Sequence, residues 1–169
     1  MSVEKLLTSL LRYKAWADDG LYAGWLAAQS DLPQACRDAG HRVLDHAYTV
    51  DRIFACHLQG HAHGMQGTSS TTLPPLADLM QSARALDQWF VDYAGQASPG
   101  ELETPVPFVF TDGTRGCMSP EEMLGHVVAH GGYHRGEVGR LLVLHTGASP
   151  PDTFTAYLHA ADPRRRHGA

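Results

Sequence analysis

Three histidines at helical spacing dominate the segment His126-Val-Val-Ala-His130-Gly-Gly-Tyr-His134. An α-helix brings residues i and i+4 onto one face, about 6 Å apart along the axis, so two successive imidazoles can reach one metal ion. Residues i and i+8 are about 12 Å apart, too far for one ion to collect all three rings. The ligand pair is therefore His126 with His130 or His130 with His134, and any further protein ligand must come from another helix.

The histidines border the apolar face of this predicted helix. At about 100° per residue, the apolar positions gather on one side of the helical wheel; they are Leu124, Val127, Val128, Gly131, Val138 and Leu142. The flanking histidines should point inward or to the core edge, where an unpaired polar group is costly. A divalent metal would satisfy several imidazoles at once. The structural alternative is hydrogen bonding to carbonyls or to Glu137.

Composition narrows the class of protein. The 169 residues are 43% hydrophobic and carry a net charge of −5, which fits one domain with a sizeable core and argues against nucleic acid as a partner. Cys36, Cys56 and Cys117 form no CxxC pair and are odd in number, as expected for reduced thiols in the cytoplasm. The sequence shows no signal peptide and no apolar run of the roughly 20 residues that a membrane span needs.

Hydrophobic periodicity predicts four long helices that position the histidines. They cover residues 3–28, a stretch starting at 34 or 41 and ending at 59, residues 76–97, and residues 120–145. Ser119-Pro120-Glu121-Glu122 is typical of a helix start, because Ser caps, Pro fits the first turn and acids complement the dipole. Residues 104–114 are β-branched, aromatic and proline-rich, and Asp112-Gly113 predicts a small irregular hairpin.

These elements predict an all-α protein, a four-helix bundle with a hairpin between the third and fourth helices. Residues 1–160 should form this single domain, and residues 161–169 should be a flexible basic tail. The hairpin and the long Gly/Ser/Thr-rich loop before the third helix could both act as crossovers. The sequence therefore leaves up-down-down-up and simple up-and-down topology open.

A metal site in a bundle also draws ligands from facing helices, and the second helix offers one. His46 lies within the apolar stripe formed by Val43, Ala47, Val50 and Ile53. Asp45 falls off that stripe and is expected to face solvent. His57, His61 and His63, at the end of this helix and in the loop, are interpreted as exposed loop histidines.

Three stretches carry a family resemblance. They are Tyr13-Lys-Ala-Trp16-Ala17, Leu44-Asp45-His46 followed by Val50-Asp51-Arg52-Ile53-Phe54, and the segment Met123-Leu-Gly through His126, His130 and His134-Arg135-Gly136-Glu137-Val138. Together they resemble the DinB/YfiT-like family of metal-dependent four-helix-bundle proteins. The resemblance covers nearly the whole chain.

The resemblance implies which side chains hold the metal. In the family, one histidine of the second helix and two of the last bind a divalent ion, and the matching positions here are His46, His130 and His134. His126 occupies a position that is usually not a ligand. Three neutral imidazoles suit Zn²⁺ or Ni²⁺ and leave a coordination position open. Around them, Tyr133, Arg135 and Glu137 are candidates for supporting or substrate contacts, with ordinary helix surface as the alternative.

Three functional hypotheses follow. The first is a metal-dependent enzyme acting on a small-molecule substrate, either a transferase that uses a low-molecular-weight thiol, as the resemblance implies, or a hydrolase. The second is a metal-binding stress-response protein without turnover. The third is a bundle whose histidines are only structural. Analogy with the family also predicts a homodimer.

Overall fold

The computed structural model describes residues 3–166, and helices dominate it. Four helices are long: α1 (Val3–Ala28), α2 (Gln34–Leu58), α3 (Leu76–Gln96) and, after a one-turn helix α4 (Pro99–Glu103), α5 (Pro120–Thr146). Strands β1 (Val106–Val109) and β2 (Arg115–Met118) precede α5, and α6 (Phe154–Ala161) follows it. No helix within residues 3–166 combines the length and apolar character needed to cross a membrane.

The start and end of α5 follow from local sequence. The Ser119 hydroxyl accepts a hydrogen bond from the Glu122 backbone N–H, and the Glu122 carboxylate accepts one from the Ser119 N–H. This capping box satisfies two amides that would otherwise lack partners at the helix start. The helix ends at Gly147, whose φ of 82° is a left-handed conformation that glycine adopts without strain.

The predicted hairpin is confirmed between α4 and α5. Its strands pair antiparallel, with Val106 opposite Met118 and Val109 opposite Arg115. At the turn, the Asp112 carboxylate accepts hydrogen bonds from the backbone and side chain of Thr114. Its one buried aromatic residue, Phe108, faces α2.

Contacts between helices select the up-down-down-up topology. Lys14 meets Asp87 and Asp19 meets Arg84, so α1 and α3 run in opposite directions. In contrast, Gly131 of α5 lies beside Lys14, and Leu142 lies beside Gly24, so α1 and α5 run the same way.

Between α2 and α5 the direction is antiparallel. His46 lies near His130 and His134, whereas Phe54, two turns further along α2, meets His126. Helices α2 and α3 are therefore parallel to each other and connected by the long loop of residues 60–75. The seam between α2 and α5 is where the histidines of both helices meet.

The core consists of two apolar clusters with a charged layer between them. Leu11, Phe90 and Val127 belong to one cluster, and Leu21, Leu79 and Val138 to the other. Along α1, α3 and α5 the intervening side chains are the buried Lys14, Asp87 and Arg135 and the half-buried Asp18. This layer lies at the level of the histidine seam.

The end of the chain adds a short element beyond the bundle. Pro163–Arg166 form a 3₁₀ helix, and Arg164 Nε lies 2.8 Å from Asp162 Oδ1. Residues 167–169 of the predicted basic tail lie outside the described residues.

Candidate metal centre

Three imidazoles from two helices converge at the α2–α5 seam. The ring centroid of His46 lies 5.2 Å from that of His130 and 4.7 Å from that of His134, and the latter two are 4.4 Å apart. One ring nitrogen from each residue lies within 4.8 Å of the others. The structure therefore places His46 beside two histidines of α5, as predicted from the sequence.

Two of the rings have their tautomer defined by a neighbour. His46 Nδ1 lies 2.8 Å from the Thr68 carbonyl oxygen, and His134 Nδ1 lies 2.5 Å from Glu137 Oε2. A carbonyl or a carboxylate oxygen accepts, so both Nδ1 atoms must carry the hydrogen. Each Nε2 then carries a lone pair, and that of His134 accepts a hydrogen bond from His130 Nε2. Histidines that bind metals generally show this arrangement.

His130 completes the group. Its Nε2 lies 3.1 Å from His134 Nε2, and its buried Nδ1 has no hydrogen-bond partner. Nitrogens around a tetrahedral ion with bonds of 2.0–2.1 Å are about 3.4 Å apart, so the spacing of this pair needs little adjustment. Three ring nitrogens that lie within 4.8 Å of one another, two of them with their lone pairs set by a neighbour, fit a divalent ion of the zinc type.

Burial keeps the central ring neutral. Burial, together with the nearby His134, His126 and His46, lowers the pKa of His130 to about 4. A metal ligand must be the neutral imidazole, so no proton has to be displaced from a cationic ring at neutral pH.

His126 lies outside this group. Its ring stacks on His130 at 5.2 Å and on Phe54 at 4.5 Å, with interplanar angles of 24° and 31°. Burial lowers the pKa of His126 below its usual range. It therefore packs against the back of the site as an aromatic neighbour.

The three predicted supporting residues have different surroundings. Glu137 contacts the metal-site ring of His134 directly. Tyr133 is 68% exposed, and its ring stands edge-on to His134 at 5.0 Å. The side chain of Arg135 is buried and lies 2.8 Å from the carboxylates of both Asp18 and Asp152.

The charged layer behind the histidines was not predicted from sequence. Lys14 Nζ lies 2.7 Å from Asp18, 2.8 Å from Asp51 and 2.5 Å from Asp87. These carboxylates are close enough to hold a cation, and the ammonium group already occupies that role. The signal was present, because Lys14 interrupts an otherwise apolar stripe of the first helix.

Protonation in this layer is shifted by burial. Burial raises the pKa of Asp51 to about 6 and of Asp87 to about 8, against the attraction of Lys14. For Lys14, burial acts to lower the pKa, but the three carboxylates outweigh it and hold the pKa well above its usual value. At neutral pH, Lys14 therefore stays charged and Asp87 stays largely protonated.

Two side chains lie deeper than the sequence suggested. Asp45 is fully buried, because the α2–α3 loop folds over it; the expectation that it faces solvent is wrong. His57 is only 5% exposed and packs against Phe54 and Phe108, so it is not an exposed loop histidine. It lines a cleft of about 500 Å³ between the loop and the hairpin, together with His61 and His63.

The fold and this histidine group define a helical-bundle protein with a candidate divalent-metal centre. A sequence model of the DinB family matches residues 1–166. The chain belongs to the DinB family, which confirms the resemblance drawn from the histidine motifs. No curated protein and no solved structure matches the chain.

Proposed function

We propose that the protein is a metal-dependent enzyme that transfers a low-molecular-weight thiol to a small electrophilic substrate. His46, His130 and His134 would hold one divalent ion, zinc or nickel. The observation that carries the proposal is the convergence of these rings with two Nε2 lone pairs already set by Thr68 and Glu137.

The choice of ligands supports catalysis over a purely structural site. Three neutral imidazoles leave the charge of a divalent ion uncompensated and a coordination position free, as in catalytic zinc sites. When bound, such an ion lowers the pKa of a coordinated thiol or water toward neutrality. A thiolate is the nucleophilic form of a thiol.

The side chains around the site would orient the ligands, contact the substrate and support the helix. Glu137 orients His134 through its carboxylate, and the Thr68 carbonyl orients His46. Tyr133, exposed beside His134, can contact a substrate at the rim. Arg135 supports the helix from behind through Asp18 and Asp152.

The first experiment measures metal and then turnover. Elemental analysis of untagged protein should find about one zinc or nickel per chain, as three ligands around one ion require. A panel of glutathione, bacillithiol and mycothiol is then tested against electrophiles such as bimane halides. Metal-free protein and His46→Ala serve as controls.

Turnover that needs both the metal and His46 would support the transferase. Turnover that survives in both controls would place the activity elsewhere. Ester or amide hydrolysis in place of thiol transfer, again requiring the metal, would favour the hydrolase. A bound metal with neither activity would favour a stress-response protein without turnover.

Assembly and location are further parts of the proposal. Family analogy favours a homodimer, and Tyr133, Val143 and Leu144 give the outer face of α5 exposed apolar surface. Sedimentation at micromolar concentration would reject the dimer if it gives a monomer. The unpaired cysteines Cys36 and Cys56 are consistent with a reducing cytoplasm.

A further inference from the structure

Asp45 is a buried carboxylate directly beside a candidate metal ligand. It lies on α2 next to His46 and is 0% exposed. Its Oδ2 accepts a hydrogen bond from the Ser70 backbone N–H and its Oδ1 accepts one from the Ser70 hydroxyl, both at 2.7 Å. Hydrogen bonds to a charged acceptor are about twice as strong as neutral ones. They fasten the otherwise exposed part of the α2–α3 loop to the helix.

The same loop sets the orientation of His46. Thr68, two residues before Ser70, places its carbonyl oxygen 2.8 Å from His46 Nδ1. Thr68 and Ser70 are both exposed. Two residues further on, the hydrogen bonds from Ser70 to the buried Asp45 attach this exposed part of the loop to α2.

We infer that Asp45 is a positioning residue for the metal centre and acts through the loop. By fixing Ser70 it holds the Thr68 carbonyl against His46, which keeps the hydrogen on Nδ1 and leaves Nε2 as the metal-binding atom. The inference rests on the proposed role of His46 as a ligand. The same hydrogen bonds from Ser70 to Asp45 would therefore hold the loop on α2 and fix the tautomer of His46.

The identity of the side chain matters for this role. The Ser70 N–H and the Ser70 hydroxyl both donate to Asp45, so the carboxylate accepts two hydrogen bonds with its negative charge. An amide of the same shape can still accept from the Ser70 N–H, but its NH₂ group bonds the Ser70 hydroxyl only if that hydroxyl turns to accept, and the strengthening by the negative charge is lost. Asp45→Asn should therefore behave as a partial loss, between wild type and Asp45→Ala.

The first measurement determines the tautomer of His46 in the metal-free protein. Long-range ¹H–¹⁵N spectra of the metal-free protein should show His46 as the Nδ1–H tautomer. Asp45→Ala should move it toward a mixture of both tautomers. In parallel, Zn²⁺ competition with a chromophoric chelator should show about 10–100-fold weaker binding, the usual effect of removing an outer-shell partner.

Ser70→Ala provides a second variant that leaves the helix untouched. Ser70 is exposed, and the substitution removes only the hydrogen bond from its hydroxyl to Asp45. Zn²⁺ binding should become about threefold weaker, with a partial change in the His46 tautomer. Ser69→Ala, an exposed neighbour in the same loop, is the matched control and should equal wild type.

The outcomes separate the two proposals. If Asp45→Ala and Ser70→Ala keep the His46 tautomer and the Zn²⁺ affinity of Ser69→Ala, the positioning role is overturned. Wild type without Nδ1–H at His46 would overturn it as well. If wild type binds no metal, the proposed function fails, whereas the tautomer change in metal-free Asp45→Ala still supports the link from Asp45 to His46.

Discussion

The rings of His46 and His134 meet edge to face across the α2–α5 seam, with centroids 4.7 Å apart and an interplanar angle of 79°. Each presents Nε2 rather than Nδ1 to the space between them, because Thr68 and Glu137 engage the Nδ1 atoms. His126, on the same helix as His134, stacks on Phe54 instead. This difference between two histidines of one motif leads to the first prediction.

His134→Ala should remove metal and the stability that metal provides. Losing one of three ligands should reduce metal content to near zero after dialysis, and the rise in melting temperature on adding Zn²⁺ should disappear with it. His126→Ala, the matched variant, should keep the metal. Elemental analysis and thermal unfolding with and without Zn²⁺ measure both effects. The reverse pattern would mean that His126 and His130 are the ligand pair.

Glu137→Gln should weaken metal binding without abolishing it. The amide still accepts a hydrogen bond from His134 Nδ1, but without the negative charge that makes the imidazole a stronger donor to the metal. We expect about tenfold weaker Zn²⁺ affinity in a chelator competition. Glu103→Gln, on the exposed end of α4, controls for the loss of one negative charge. Equal affinities in the two variants would contradict the orienting role of Glu137.

The charged layer should make the protein less stable as pH rises toward 8. Folding raises the pKa of Asp87 from 3.8 to about 8, so the folded chain binds this proton more tightly than the unfolded chain. That contribution to the free energy of unfolding is fully present below the unfolded pKa and is lost as pH rises through the folded one. The pKa of Asp51 is raised to about 6, so Asp51 also lowers the free energy of unfolding as pH rises, but over a narrower pH range.

Asp87→Asn should remove most of this slope. The amide imitates the protonated acid and cannot titrate. The difference in the free energy of unfolding between wild type and Asp87→Asn should therefore change by at most about 1.4 kcal/mol per pH unit between pH 4 and 8. Urea unfolding across that range measures it, and Asp92→Asn, exposed on the same helix, is the control. Parallel pH profiles for wild type and Asp87→Asn would show that Asp87 is ionised throughout.

Gly40 should tolerate no side chain, unlike a second helical glycine. A Cβ at Gly40 would lie 2.2 Å from the ring of Trp25, which is fully buried, so Gly40→Ala should cost about 1–3 kcal/mol or more of stability. A Cβ at Gly125 meets nothing within 4 Å, and Gly125→Ala should stabilise by about 0.5–1 kcal/mol. Chemical unfolding of both variants measures the contrast. A neutral Gly40→Ala would show that Trp25 can move aside.

Much of the fold could be predicted from sequence because its signals are local. The four long helices follow from apolar periodicity, and the start of α5 follows from Ser119-Pro120 with Glu122. The predicted hairpin follows from Asp112-Gly113. The spacing of His130 and His134 put both rings on one face, since helical geometry decides that alone.

Only the tertiary structure decided which distant residues complete these local patterns. Helix direction could not be read from periodicity, which is the same for parallel and antiparallel packing, so the up-down-down-up order needed contacts such as Lys14 with Asp87. Asp45 appeared exposed on a helical wheel and is buried, because a wheel omits the loop that folds over it. The sequence determined that histidines face the bundle. The packing of α2 on α5, and of the loop on α2, decided which nitrogen each presents.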